Sequence, residues 1–156
     1  MIAPSLDWLP KDGSSLNKFG MMINKLWKNL SATFAPFWLA AALYVPVITS
    51  GAGVFTSASA TGRYYQLGRI VFVQIVITIT TNGTASNYVV ATLPFLPASG
   101  IIYILAGRAN AVSAKMLQGV VNNAASPGNV IIENYDGTYP GATGEVLIVS
   151  GFYETQ

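Results

Sequence analysis

The run from Ile70 to Thr81 constrains the fold more than any other part of the chain; it reads Ile-Val-Phe-Val-Gln-Ile-Val-Ile-Thr-Ile-Thr-Thr. Nearly every residue is β-branched or aromatic, and such side chains suit an extended backbone better than a helix. Every odd-numbered position from 71 to 79 is Val or Ile, whereas the even-numbered positions include Gln74, Thr78 and Thr80. Because alternate side chains of a strand point to opposite faces, the odd-numbered face is predicted to be buried. The run is therefore predicted to be a central strand of an antiparallel sheet.

Asn82 and Gly83, which follow this run, are residues typical of a tight hairpin turn. Both tolerate the positive φ that such a turn needs. We therefore expect the chain to reverse here and residues 88–93 to return as the partner strand.

The remainder of residues 44–156 is divided into short apolar runs by segments rich in Gly, Pro, Asn, Asp and Ser. Tyr44-Val-Pro-Val is predicted to be an edge strand, because Pro46 cannot donate a hydrogen bond to a ladder. Further strands are predicted at 54–56, 101–107, 112–117, 130–134 and 145–153. About eight short strands with turn-rich links predict a mainly β protein, an antiparallel β-sandwich of jelly-roll type.

The N-terminal segment carries a helical pattern from Ser14 or Ser15, a good N-cap, to about Ser31. Apolar residues recur there at alternating spacings of three and four, as in a coiled-coil seam: Leu16, Phe19, Ile23, Leu26 and Leu30. An isolated helix of this length is marginal in water, so the seam needs a partner. Two interpretations remain open, a helix lying on its own domain and a short self-associating stalk.

The most apolar stretch, residues 34–48, follows this helix. As a helix its 15 residues would span only about 22 Å, less than the roughly 30 Å hydrocarbon core of a bilayer, and Pro36 and Pro46 would interrupt it. It is predicted to be a buried neck rather than a membrane span. The sequence thus divides into a lead-in, helix and neck over 1–43 and a β head over 44–156. Residues 1–13 lack the features of a signal peptide, so export through the general secretory route is not expected.

Composition narrows the chemistry that is available to the chain. Its 156 residues contain no Cys and no His, which removes disulfides, thiolate ligands, the commonest general base and the commonest metal ligand. Charged residues make up only 9%, against a usual share of about 25%, and this favours surface hidden against other copies of the chain. The small basic excess lies in residues 1–43, where four lysines are too few to track phosphates. No cofactor, no metal and no nucleic-acid partner are predicted.

One loop has the composition of a ligand site. Residues 135–141 read Tyr-Asp-Gly-Thr-Tyr-Pro-Gly, so that Tyr135 and Tyr139 offer stacking faces beside the carboxylate of Asp136. Sugar rings are bound by this combination of aromatic faces and planar polar groups. Glu133 and Asp136 are also the only close carboxylate pair of the head, but we interpret them as turn-forming residues and predict no catalytic residue and no enzyme activity.

Several motifs occur in an order that resembles one protein family. They are Tyr44-Val-Pro-Val, then Gly62-Arg-Tyr-Tyr-Gln-Leu-Gly before the long strand, Leu93-Pro-Phe after the second long strand, and Ser150-Gly-Phe-Tyr near the C-terminus. In this order they resemble the jelly-roll tip domains of bacteriophage tail-fibre and receptor-binding proteins, over roughly residues 44–156. The resemblance implies that Gly62-Arg63-Tyr64 forms a turn and that Tyr64 and Tyr65 pin the start of the long strand.

The resemblance also implies a function and a location. The chain is expected to be a virion structural protein, a short tail fibre or receptor-binding tip that is assembled in the host cytoplasm and attaches to the host surface. It would form a homotrimer, contact other virion proteins through its N-terminal segment and bind a host-surface glycan. Two alternatives remain, a capsid-surface fibre or decoration protein with no receptor role and a small membrane-associated protein.

Overall fold

The computed structural model describes Lys18, residues 20–26, Lys28, Asn29 and residues 41–156. The chain divides into two compact units, Met1–Leu39 and Ala40–Gln156. All described residues of the first unit are helical, and they lie within the helix predicted from the sequence. The second unit contains the sheet, whose first strand begins at Ala42. The division predicted between residues 43 and 44 stays a prediction.

Within residues 41–156, nine strands form one sheet. They are β1 (Ala42–Tyr44), β2 (Ile48–Ala52), β3 (Ser57–Leu67), β4 (Ile70–Thr81), β5 (Ser86–Thr92), β6 (Ile102–Ala109), β7 (Met116–Asn122), β8 (Asn129–Asn134) and β9 (Glu145–Glu154). The hydrogen-bonded order is β1-β3-β4-β9-β6-β7-β8-β5-β2, and every neighbouring pair is antiparallel. The predicted mainly β, antiparallel fold is confirmed.

The sheet is curled rather than flat. Its two edge strands, β1 and β2, are consecutive in sequence and are joined only by residues 45–47. Since an extended residue spans at most about 3.5 Å, the Cα atoms of Tyr44 and Ile48 lie within about 14 Å of each other. The first and last strands of the order are therefore close together, and the sheet closes around its own inner face.

The inner face forms the hydrophobic core. Its fully buried members come from the six contiguous strands from β4 to β5 in the hydrogen-bonded order and include Val71, Ile75, Ile77, Ile79, Val89, Leu105, Val121, Val130, Ile132, Leu147 and Tyr153. The odd-numbered residues of β4 from 71 to 79 are all buried, as predicted. Each such Val or Ile contributes roughly 1.5–3 kcal/mol when fully buried. The core of the second unit is thus built by strand alternation.

Aromatic rings pack together beside this core. The ring of Tyr64 makes edge contacts with those of Tyr44 and Phe95, at centroid distances of 5.9 and 5.1 Å. The buried hydroxyl of Tyr153 donates to the carbonyl oxygen of Phe95 at 3.0 Å, and burial raises the pKa of Tyr153 to about 12. Tyr64 therefore has the structural role that was predicted for it. Tyr65 does not, because it lies on the outer face and is 48% exposed.

The hairpin predicted at Asn82 and Gly83 is wrong. β4 pairs with β3 and β9, whereas β5 pairs with β2 and β8. Gly83 does have a positive φ of 65°. However, the turn begins a connection to the far edge of the sheet, where the amide of Thr84 donates to the carbonyl oxygen of Val54 at 3.1 Å. The connections β2–β3 and β4–β5 run side by side and bond to each other.

The true partner of β4 is β3, which the sequence analysis missed. Residues 57–67 form one strand of 11 residues, where a strand at 54–56 and a turn at Gly62-Arg63-Tyr64 were predicted. The small residues of Ser-Ala-Ser-Ala-Thr-Gly have weak strand preference, and pairing along the whole of β4 overrides it. The reversal occurs instead at Gly68-Arg69, where Gly68 has a φ of 59°.

Two other predicted strands are displaced. The predicted edge strand at 44–47 is a connection from residue 45 onward, because Pro46 interrupts pairing and separates β1 from β2. The strand predicted at 112–117 begins at Met116, since residues 111–113 bind a buried carboxylate instead of a neighbouring strand.

Candidate functional site

Tyr135, Asp136 and Tyr139 lie in the loop between β8 and β9. β1 starts opposite Tyr64, toward the end of β3 that carries the Gly68-Arg69 turn. The loop lies at the other end of the sheet, where the amide of Gly144 donates to the carbonyl oxygen of Ile79. Among the described residues of the head, this loop is thus at the end away from the point where the chain enters the sheet.

Asp136 is held by its own loop. Its Oδ1 accepts hydrogen bonds from the hydroxyl and the amide of Thr138, and its Oδ2 lies 3.1 Å from Lys115 Nζ. The bonds from Thr138, with a smaller contribution from Lys115, lower the pKa of Asp136 to about 2. The carboxylate is therefore ionised at neutral pH, but most of its acceptor capacity is used within the loop. Glu133 faces Gln118, with 3.5 Å between Oε2 and Nε2.

The two tyrosines of the loop differ in accessibility. Tyr135 is 68% exposed, whereas Tyr139 is half-buried and packs against the core. The hydroxyl of Tyr139 donates to Asn82 Oδ1 at 2.6 Å, and its burial raises its pKa. The loop consequently presents one free ring, that of Tyr135. The predicted ligand site at Tyr135, Asp136 and Tyr139 stays a prediction.

A buried carboxylate lies close to this end of the sheet and was not identified from the sequence. Glu145, at the start of β9, is fully buried, and its carboxylate accepts the amides of Ala111, Val112, Ser113 and Val146 at 2.8–3.1 Å. Burial by itself raises the pKa of Glu145, but these four bonds outweigh it and lower the pKa to about 2. Because the side chain has no access to solvent, it anchors the β6–β7 connection and cannot reach a substrate.

The outer face of β3, β4 and β9 carries an exposed aromatic row. Tyr65 pairs with Phe72, and Phe72 pairs with Phe152, so that the three rings lie side by side across three strands. The side chains are 48, 47 and 56% exposed, and the rings of Phe72 and Phe152 have centroids 6.0 Å apart. An exposed cluster of this kind has no role in the core, which lies on the opposite face.

A polar row runs parallel to the aromatic one, two residues along each strand. Arg63 pairs with Gln74, and Gln74 pairs with Ser150. The two rows border a shallow groove of about 480 Å³ that is lined by Arg63, Tyr65, Phe72, Val73, Gln74, Ser150, Gly151 and Phe152. This volume lies within the range of about 300–1,000 Å³ that is typical of small-ligand sites. We refer to it below as the outer groove.

The sequence contained only part of the signal for the outer groove. Alternation in β4 placed Phe72 and Gln74 on the mixed face of that strand. Their neighbours depend on the registers of β3 and β9, and β3 was not predicted. The groove is therefore a product of strand pairing, which brings together side chains up to 89 positions apart, Arg63 and Phe152.

The predicted oligomerisation seam is only partly within the described residues. Ile23 and Leu26 lie on helical residues and are 45 and 61% exposed. Leu16, Phe19 and Leu30 lie outside the described residues. No helix in the described part of the chain has the length and apolar character needed to cross a membrane.

Comparison with known proteins gives no relative: no family model, no curated protein and no solved structure matches this chain.

Proposed function

We propose that this chain is a bacteriophage virion structural protein, a short tail fibre or receptor-binding tip that attaches to the host surface as an oligomer. The origin in a virion rests on the order of motifs that resembles phage tip domains. The observation that carries the attachment role is the outer groove. The head already buries a complete core on its inner face, and yet it exposes three aromatic rings beside an arginine on the other face. Aromatic and arginine side chains are enriched where proteins bind partners.

Self-association fits the same proposal. Ile23 and Leu26 are exposed on their helix, and exposed apolar residues at spacings of three and four favour a helical partner. Joining several heads through their N-terminal helices would let weak individual contacts add up on a cell surface. The homotrimer remains part of the proposal, with the number three taken from the resemblance.

The proposal is tested on purified phage particles and on the isolated chain. Mass spectrometry and antibody labelling are expected to find the chain on the particle surface, and soluble chain is expected to compete with particles for adsorption to host cells. Absence of the chain from particles would overturn the virion assignment. Presence on particles without competition would favour an architectural fibre with no receptor role.

A further inference from the structure

The outer groove combines aromatic faces with unused hydrogen-bond donors. Arg63 Nε donates to Gln74 Oε1 at 2.8 Å, which fixes both side chains along the polar row. The remaining guanidinium donors of Arg63 and the amide donors of Gln74 Nε2 have no protein partner among the described residues. The polar row thus offers mainly donors to a ligand, because Gln74 Oε1 already accepts from Arg63 and the Ser150 hydroxyl can both donate and accept.

The groove carries one positive charge, and no acidic side chain on the same face of the described sheet lies beside it. Arg63 is the only charged residue in its lining. On the outer face of the described strands the acids are Glu133 of β8, which lies opposite Gln118 of β7, and Glu154 of β9. Glu154 lies four residues beyond Ser150 along β9, which is about 13 Å, with the aromatic row in between. A single negative charge in the groove would therefore meet a single unpaired cation.

We propose that the outer groove binds a carboxylated pyranose, a uronic-acid or sialic-acid unit of an acidic surface polysaccharide. The planar guanidinium of Arg63 matches the two oxygens of a carboxylate, and its single charge matches a singly charged group. The sugar ring packs on Phe72 and Phe152, while its hydroxyls accept from Gln74 Nε2 and exchange hydrogen bonds with Ser150. This inference deepens the proposed function, because it names the ligand class of the attachment surface.

A second copy of the chain fits this groove less well than an acidic sugar. A two-fold contact through the groove would bring the same surface against itself, and that surface has no carboxylate in its lining to pair with Arg63. Its donors would also lose water without gaining acceptors, and unsatisfied donors weaken an interface. The groove is complementary to an acceptor-rich anion and not to itself.

The test measures sugar binding by the full chain with isothermal titration calorimetry. The probes are trigalacturonic acid and α2,8-linked trisialic acid, which separate the two sources of a sugar carboxylate, and the methyl ester of trigalacturonic acid is the neutral comparison. We expect at least one acid to bind and the ester not to bind. Arg63→Gln removes the charge-assisted hydrogen bond to the sugar carboxylate, and Gln74→Glu places a carboxylate of the protein beside Arg63 that neutralises its charge. Each variant is expected to weaken binding at least about tenfold.

The matched control is Arg108→Gln, which removes an exposed arginine from the same face of the sheet outside the groove. It is expected to bind like the wild type. Phe152→Ala tests the aromatic row and is expected to weaken binding several-fold, with folding checked by its melting curve.

Four results would overturn the inference: no binding of either acid, equal binding by Arg63→Gln, equal binding of the methyl ester, or a fall in oligomer mass on Phe152→Ala that marks the groove as an interface between copies.

Failure of the inference and failure of the proposed function are distinguishable. If the acids do not bind but soluble chain still blocks phage adsorption, only the ligand class is wrong. If the acids bind through Arg63 but particles lack the chain, the virion assignment is wrong and the groove assignment stands.

Discussion

The hydroxyl of Tyr139 donates a hydrogen bond to Oδ1 of Asn82 at 2.6 Å, joining two connections that are 57 residues apart in the chain. Asn82 in turn donates through Nδ2 to the carbonyl oxygen of Ala85, and its amide donates to the hydroxyl of Thr143. The loop 135–144 is thus fastened to the end of β4. Asn82, which together with Gly83 predicted a hairpin, instead links the β4–β5 and β8–β9 connections.

Tyr139→Phe is expected to lower the free energy of unfolding by roughly 0.5–1.5 kcal/mol, because it removes one partly buried hydrogen bond and keeps the ring. Urea denaturation measures the change. Tyr135→Phe is the matched control, since Tyr135 is exposed and its hydroxyl has no hydrogen-bond partner among the described residues. Equal stability of the two variants would show that the bond to Asn82 contributes nothing.

Glu145 is expected to make the head sensitive to acid. Its pKa is about 2 in the folded chain against an ordinary value of 4.5, so the folded state holds the ionised form more strongly. A lowered pKa contributes stability that is fully present above about pH 4.5 and is lost as the pH falls toward 2. Since each unit by which the pKa is lowered corresponds to 1.36 kcal/mol, the contribution is at most about 3 kcal/mol.

Melting temperatures between pH 2 and 7 test this expectation on the wild type and on Glu145→Gln. At neutral pH the variant is expected to be less stable. The substitution replaces one carboxylate oxygen with an NH2 group, which cannot accept the hydrogen bonds that the backbone amides of residues 111–113 donate. Its melting temperature should also fall less between pH 4.5 and 2 than that of the wild type. Glu154→Gln is the control, and an equal pH response in Glu145→Gln and the wild type would contradict the anchoring role.

How far the sequence predicts this fold is clearest from β4 and β3. The strand β4 was predicted with its correct bounds and its correct buried face, because alternation of Val and Ile is a local signal. The strand β3 was missed, since Ser57–Thr61 lacks large side chains and is ordered by its pairing with β4. Local preference is enough to predict β4, whereas β3 and the order of the strands depend on contacts that no local window contains.

The candidate sites also differ in whether a local sequence signal or strand pairing brings their residues together. The loop around Tyr135 was found because its aromatic and acidic residues are adjacent in sequence. The outer groove was not found, because its rows combine β3, β4 and β9. Glu145 looked like an ordinary strand residue, and only the backbone of residues 111–113 turns it into a buried anchor. Sites that are built by register cannot be predicted before the register is known.

The helical segment is expected to drive self-association. Light scattering on the full chain should give three times the monomer mass of 16.5 kDa. Ile23→Asp with Leu26→Asp should abolish the oligomer, because a buried unpaired charge costs several kcal/mol. Lys25→Asp, on a residue of the same helix outside the seam, is the control for charge and should preserve the oligomer. A monomeric wild type, or a double variant with unchanged mass, would leave the helix without an oligomerising role.

The loop at the far end of the sheet supplies the last prediction. Tyr135 is its one exposed aromatic ring, while Tyr139 is fastened to Asn82, so the two side chains are expected to act differently. If the loop touches the host, Tyr135→Ala should remove roughly 1 kcal/mol of contact energy per head, and several heads on one particle should multiply the loss through avidity. Particles that carry Tyr135→Ala should adsorb to host cells several-fold more slowly.

Tyr139→Phe provides the comparison in the same adsorption assay, because it keeps the surface of the loop and changes only its attachment to Asn82. Adsorption should remain normal in that variant as long as the head stays folded. The double variant Tyr135→Ala with Tyr139→Ala should lose adsorption at least as strongly as Tyr135→Ala alone. Normal adsorption by a folded Tyr135→Ala variant would remove this loop from the contact surface, and the outer groove would then be the remaining candidate on the head.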